Sequence, residues 1–431
     1  MTTVLILTFA IGLIIGLPVA IVMGMATLAA LISEGNVTLE VFPQRIFSGI
    51  DSFPLLTIPF FILAADLMSG GKLTDVLIKF SNDLIGNIKG GLGHVNVLVS
   101  VFFAGISGSA LADAAGPSAV VMNMMRKAGY DKYYSGALSA ATSVIGMIIP
   151  PSILMIIYAL TSGNTSVMGL FLAGVIPGLL LAVFLMIYNH IISVKHGYEI
   201  ETKKMNFKEL WKSFLNAIPA ILMPVILLGG ILGGIFTATE AAVVAGFYAI
   251  LIGLFVTKAL KIKDIPRIFV QSAIVTSSIL LIIAMGAAFS WVLTYTRVPQ
   301  MIAEWLLGVT DNPLLILFLI AFFALITGMF VDTIPALIIL VPILSPVATM
   351  LGNEPLQVAM VVVLSVGIGM LTPPVAPLLF VISSVGRIKL EKLSLAIIPL
   401  VLVEIFVVVL IILIPEVSTF LPTYFGFGGG D

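Results

Sequence analysis

Gly105-Ile-Ser-Gly-Ser-Ala-Leu-Ala-Asp113, followed by Ser143-Val-Ile-Gly-Met-Ile-Ile-Pro-Pro-Ser152, is the stretch whose reading decides the fold. It has a counterpart in Ile326-Thr-Gly-Met-Phe-Val-Asp332-Thr333, followed by Ser365-Val-Gly-Ile-Gly-Met-Leu-Thr-Pro-Pro374. Each pairs a small, polar apex with a glycine-rich break before a Pro-Pro step, inside very apolar sequence. In a membrane, irregular backbone is tolerated only where protein or a cavity satisfies its polar groups, so such breaks point to a transport site.

Outward from these stretches, composition sets the class. Of 431 residues, 60% are hydrophobic and only 10% charged, and the mean hydropathy is +1.23. Soluble domains carry about 25% charged residues, so the expectation is a polytopic membrane protein in a lipid bilayer. A net charge of -1 excludes a strongly basic nucleic-acid binder, and the absence of cysteine excludes disulfides, thiolate catalysis and Cys-ligated metals. The three histidines (His94, His190, His196) lack metal-ligand spacing. No removable signal peptide is read at the N-terminus. A phosphate-binding Gly-rich loop, HExxH and GxSxG are all absent, so ATP-driven and hydrolytic readings fail.

Residues 92–126 are too short for two full spans, which need roughly 40 residues, and read as a re-entrant helical hairpin with its tip near Ser107–Gly116. Residues 312–350 read as a second hairpin. Broken helices are expected at 134–162 and 356–385, and amphipathic interfacial helices at 72–88 and 297–308. Residues 34–45 read as a polar loop. Basic clusters at 72–89, 126–132, 195–212 (with Lys203 and Lys204), 258–267 and 387–392 all fall on one side, the cytoplasmic one by the positive-inside rule. The first hairpin then enters from the cytoplasm and the second from the periplasm. Aligning Pro150 with Pro373 and Gly108 with Gly328 makes the halves an inverted repeat. The first repeat spans 1–200, a cytoplasmic linker 201–213, and the second repeat 214–431. The repeat favours two short helices meeting at Gly16-Pro18 over one helix across 3–33.

Half-helix ends at Ser107-Gly-Ser109 and Gly328 leave carbonyls without intrahelical partners, and breaks at Gly146–Pro151 and Gly367–Pro374 free more. Such oxygens, with Ser or Thr hydroxyls, suit a hard cation such as Na⁺. Glycine and proline that merely kink packed helices are the bland alternative, which two matching pairs argue against. Ser109, Asp113, Arg297 and Asp332 are the substrate candidates. For Asp113 and Asp332 the competing role is a helix N-cap, and it comes first; for Arg297 it is snorkelling to the interface. Thr237-Ala-Thr-Glu240 reads as a capping box. Glu404, mid-span, implies a polar partner in this chain or another. Trp211, Trp291 and Trp305 fit interfacial anchoring.

Ala104–Ala114, both Pro-Pro breaks and Thr-Ala-Thr-Glu-Ala-Ala-Val-Val-Ala at 237–245 resemble the large membrane subunit of tripartite ATP-independent periplasmic (TRAP) transporters, over nearly the whole chain. The resemblance implies an all-α fold of the elevator-type ion transporter superfamily. It also implies Na⁺-coupled uptake of an organic acid, of the C4-dicarboxylate or sialic acid class, through the bacterial inner membrane; the alternatives are a stand-alone Na⁺/anion symporter of the same superfamily and, after it, an ion channel built from the same hairpins. Two or more Na⁺ ions would serve: one at Ser107 with the carbonyls of Gly146, Ile149 and Pro151, another around Gly328, Thr333, Gly367, Met370 and Thr372. The partners implied are a periplasmic substrate-binding protein and a separate small membrane subunit of four helices. The amphipathic helices would be arms joining a moving block to a scaffold.

Overall fold

The structure is a computed structural model that describes residues 1–163, 165–198, 206–310 and 312–428. Lys203, Lys204 and residues 201–205 of the expected linker lie outside the described residues. The described residues are all-helical, with no strand. Seven helices are long and apolar enough to cross a membrane, or eight if the bent pair Leu390–Ala396 and Ile398–Leu413 counts as one span.

Local chemistry explains the breaks. The chain from Thr2 to Glu34 is two helices, Thr2–Ile15 and Val19–Glu34. Gly16 ends the first in the left-handed conformation (φ 82°), its N–H returning to Gly12 and Leu13 carbonyls. Pro18 then starts the second, since proline lacks the donor that a continuing helix needs. The helix Leu73–Ile85 buries Leu73, Leu77 and Phe80, leaving Asp75, Lys79 and Asp83 on the other face. One sequence reading is corrected here: part of the 34–45 loop belongs to the helix Val41–Ile50. Val41, Phe42, Ile46 and Ile50 keep helical spacing, and the polar residues between them disguised it.

The helices pack as two bundles. A long-helix bundle joins Thr2–Ile15, Val19–Glu34, Val41–Ile50, Phe53–Gly70, Phe207–Leu232, Ala238–Val256 and Ile262–Tyr295. It is closed partly by Thr57 and Thr239, whose hydroxyls lie 2.7 Å apart. Thr237 and Glu240 form the expected capping box, with Thr237 N–H donating to Glu240 over 2.8 Å.

A hairpin bundle holds the rest. Its first hairpin is Gly91–Ser107, a short helix Ala110–Ala115, and Pro117–Lys127. A broken helix follows as Lys132–Val144 and Ile153–Ser162. The second hairpin is Pro313–Phe330 and Thr333–Met350, and the second broken helix is Pro355–Gly369 and Pro377–Gly386. At its centre Leu356 through Gly369 are all buried. Leu73–Ile85 packs on both Phe207–Leu232 and Gly91–Ser107, while Val298–Val309 packs on Thr333–Met350 and Ile265–Tyr295, so each touches both bundles.

Candidate functional site

Each hairpin tip ends against a helix break. Gly108 carries the turn of the first tip at φ +59°, and a Cβ there would stand 2.5 Å from the Pro151 carbonyl oxygen. Both facts demand glycine. Ser109 then caps Ala110–Ala115, its hydroxyl accepting from the Ala112 N–H over 3.4 Å. Gly146 faces the same turn, where a Cβ would lie 3.2 Å from the Ser109 carbonyl oxygen. The break itself is tied by Ser152, whose hydroxyl donates to the Met147 carbonyl at 2.6 Å.

The second tip is built the same way from different parts. A Cβ on Gly369 would stand 2.7 Å from the Cα of Gly328, so two backbones touch there. Val375 N–H donates to the Met329 carbonyl over 3.2 Å, joining break to tip. Asp332 caps Thr333–Met350, accepting from the Thr333 N–H at 2.7 Å. Both Pro-Pro peptides, Pro150-Pro151 and Pro373-Pro374, are cis. The two breaks also meet each other, since a Cβ on Gly367 would lie 2.7 Å from the Met147 sulfur. Tips that stop at the middle of broken helices end at mid-span, where only protein or a cavity can serve their polar groups.

A cavity of about 510 Å³ opens there. Ser107–Ala112 line it from the first tip, Asp332–Ile334 from the second, and Met147, Ile153, Leu154 and Met370 from the breaks. The long-helix bundle closes it with Ile62, Ala65, Asp66 and the face Ile274 to Ile282. Helices Ile153–Ser162 and Thr333–Met350 begin at this cavity, and helix N-termini favour negative charge by about 0.3–1 kcal/mol each, more when partly buried. Among the described residues its charged side chains are two carboxylates, Asp66 and Asp332, with no Lys, Arg or His.

The structure thus brings together Ser107, Ser109, Asp332, Thr333 and Met370. Gly146, Pro151, Gly328, Gly367 and Thr372 belong to the tip and break backbones behind the lining, and the Ile149 side chain packs on Gly178. Two candidates stand elsewhere. Asp113 is not an N-cap; it is fully buried, accepting from the hydroxyls of Ser100 (2.7 Å) and Ser118 (2.9 Å). That network ties the two arms of the first hairpin and keeps the carboxylate off the cavity wall. Arg297 is exposed at the start of Val298–Val309, away from the cavity. Glu404 is fully buried, yet among the described residues neither carboxylate oxygen has a hydrogen-bond partner. Trp291 is more than an interfacial anchor, because the Arg45 guanidinium sits 5.3 Å over its ring.

Sequence reasoning missed Asp66, whose carboxylate accepts from the Ser272 hydroxyl at 2.6 Å. Its signal was available: a lone carboxylate inside the apolar run Ile58–Met68. Among the described residues no group of three or more His, Cys, Asp or Glu could hold a metal ion. Ser107 and Thr333 bring two hydroxyls to the cavity lining, one from each tip.

Mid-span breaks and helix ends gathered round a cavity between two bundles define a polytopic membrane transporter, not an enzyme. Residues 6–417 match the family described as "Tripartite ATP-independent periplasmic transporter, DctM component". The chain is 38% identical to the sialic acid TRAP transporter large permease protein SiaM of Vibrio cholerae, over 96% of each chain. It is 32% identical to the C4-dicarboxylate TRAP transporter large permease protein DctM of Rhodobacter capsulatus, over 95% of this chain and 96% of that one. Among solved structures, the YdaH transporter of Alcanivorax borkumensis shares the fold with a TM-score of 0.61, at 15% identity, covering 89% of this chain and 88% of that one. The chain belongs to the DctM family of TRAP transporter large permeases.

Proposed function

We propose that this permease takes up an organic acid anion through the bacterial inner membrane, driven by Na⁺. The observation that carries the reading is the single cavity onto which both hairpin tips and both helix breaks converge. Two helix N-termini at that cavity suit a carboxylate substrate, and the oxygen-rich breaks on either side suit Na⁺ as co-substrate. Ser107 with the Gly146, Ile149 and Pro151 carbonyls would hold one ion; Gly328, Thr333, Gly367, Met370 and Thr372 would surround another. Relatives named for sialic acid and C4-dicarboxylates support this substrate class.

Movement follows from the two-bundle packing. The hairpin bundle would travel as a unit along the long-helix bundle, with Leu73–Ile85 and Val298–Val309 as the arms between them. Along Phe53–Gly70 and Ile265–Tyr295 the cavity lies toward the basic loops at Lys72 and 258–267, the cytoplasmic side under the positive-inside rule. A periplasmic binding protein would deliver the substrate, and a small membrane subunit would stand beside the long-helix bundle.

Uptake by the chain reconstituted with both partners tests the reading. Sialic acid or a C4-dicarboxylate should accumulate with Na⁺ outside, and stop when choline replaces it. Undiminished uptake in choline would remove the coupling. Full uptake without either partner would make the chain a stand-alone symporter.

A further inference from the structure

A second cavity, of about 470 Å³, lies along the same seam between the bundles. It is set off from the tip cavity by between one and seven residues along three helices. Ile334 lines the tip cavity and Ile338 this one; Ile282 lines the first and Ile283 the second; Ile62 the first and Leu55 the second. In the wall of the outer cavity Gly286 meets the Ile338 side chain in a pinch too close for any Cβ at Gly286. Ser290 fastens the pinch, its hydroxyl donating to the Ile338 carbonyl at 3.4 Å. Ser52, Ser290 and Thr294 stand at the helix ends away from the basic loops, so this is the outer cavity.

Its charge is the opposite of the inner one. Among the described residues Arg45 is its sole charged lining residue, accompanied by the hydroxyls of Ser48, Ser52, Thr161, Ser290 and Thr294. The guanidinium lies over the Trp291 ring, a contact that orients it while leaving its N–H edge free. No carboxylate pairs with it among the described residues. A planar, unpaired guanidinium in a hydroxyl-lined cavity is a receptor for a carboxylate, which it meets with two parallel hydrogen bonds.

We propose that the outer cavity is a separate carboxylate-binding station, with Arg45 as its anion ligand and the Ser and Thr hydroxyls completing it. The substrate's carboxylate docks there before the Gly286–Ile338 pinch opens toward the hairpin tips. The order in which the stations are visited rests on the uptake reading above; the binding of a carboxylate at Arg45 does not.

Trp291 supplies the test, being the ring on which Arg45 rests. With Trp211 and Trp305 replaced by Phe, both being exposed, Trp291 is the remaining indole of the three in the chain. The full-length protein is titrated in detergent with succinate and, separately, with N-acetylneuraminate, without Na⁺ or binding protein. A saturable change in Trp291 emission is expected with at least one of them. Arg45→Gln should weaken the titration by about tenfold or more, the scale of one charge-assisted pair. Arg45→Lys should recover part of it, and Arg297→Gln should leave it unchanged. Dimethyl succinate, which carries no charge, should give no saturable response. No response to either acid, an unaltered titration in Arg45→Gln, or an equal response to the ester would each overturn the assignment. An intact Arg45-dependent titration beside Na⁺-independent uptake would sink the coupling and leave the outer station standing.

Discussion

Gly369→Ala puts the tip-against-break geometry at risk with a single methyl group. Its Cβ would stand 2.7 Å from both the Cα and the carbonyl carbon of Gly328, and it would also run into the Leu325 carbonyl oxygen. Ordinary contact begins at 3.4 Å, so the second tip must retreat from the break by about 0.7 Å. All three obstructing atoms are backbone, so no rotamer change relieves the overlap. Overpacking of this kind costs about 1–3 kcal/mol, and the rigid partners place it in the upper half. If the strain is released by lifting the tip, the Na⁺ proposed to sit between tip and break loses that amount. A loss of about 2–3 kcal/mol is roughly 30- to 140-fold in affinity. The assay is the Na⁺ dependence of initial uptake in proteoliposomes, with a melting curve beside it. The half-saturating Na⁺ concentration should rise by one to two orders of magnitude, and Gly328→Ala should do the same from the facing side. Gly246→Ala, where a Cβ meets nothing within 4 Å, should stay within about 1 kcal/mol of the parent, on the stabilising side. A Gly369→Ala protein with the parent's Na⁺ titration and melting temperature would refute the claim that this backbone contact holds the site.

Other substitutions follow from single contacts. Ser107→Ala removes a hydroxyl from the first tip and should raise the Na⁺ needed for half-maximal uptake; an unchanged titration takes Ser107 out of the ligand set. Asp113→Ala takes the shared acceptor from the buried Ser100 and Ser118 hydroxyls, which keep each other at 3.2 Å, and should cost about 1–3 kcal/mol. It should lower the melting temperature clearly more than Ser100→Ala, and equal melting would show that the network ties nothing. Glu404→Met removes a buried carboxylate with no hydrogen-bond partner among the described residues and should leave stability equal or improved by a few kcal/mol. A drop in melting temperature would reveal a partner. Asp66→Asn keeps the shape and the Ser272 contact while removing charge, and should make exchange of the acid less dependent on Na⁺; full Na⁺ dependence in that variant counts against a coupling role.

Much of this fold was legible because glycine and proline punctuate an otherwise apolar chain. Gly16-Pro18, Gly108, Gly146–Pro151 and Gly367–Pro374 all mark real ends of helices. The same local rules located the Thr237–Glu240 box and the cap at Asp332, whose donors lie within three residues. What the rules could not reach is contact across the fold. Asp113 finds Ser100 thirteen positions away on the opposite arm, so it read as a cap or a substrate ligand. Arg45 was placed in a loop, and nothing local brings it to Trp291, which lies on a helix far along the chain. Asp66 stands out as a lone carboxylate in an apolar run, but its meaning depends on hairpin tips that only packing brings opposite it.

On the proposed reading, the two cavities together give a physical reason for Na⁺ coupling. Among the described residues the outer one presents a cation and no carboxylate, and the inner one presents Asp66 and Asp332 and no cationic side chain. Asp332 is partly neutralised where it stands, by the N-terminus it caps. Among the described residues Asp66 has one hydroxyl for company. An organic anion that leaves Arg45 for the tips therefore exchanges an attractive neighbour for a repulsive one. At an effective dielectric constant of about 20, each pair of like charges about 4 Å apart opposes the transfer by about 4 kcal/mol. That exceeds what two helix N-termini return, about 0.3–1 kcal/mol each at exposed sites. A cation bound in the breaks on either side reverses the sign. Under this arrangement the anion is stable at the tips only in the company of Na⁺, so a substrate-loaded, ion-free hairpin bundle is the disfavoured passenger.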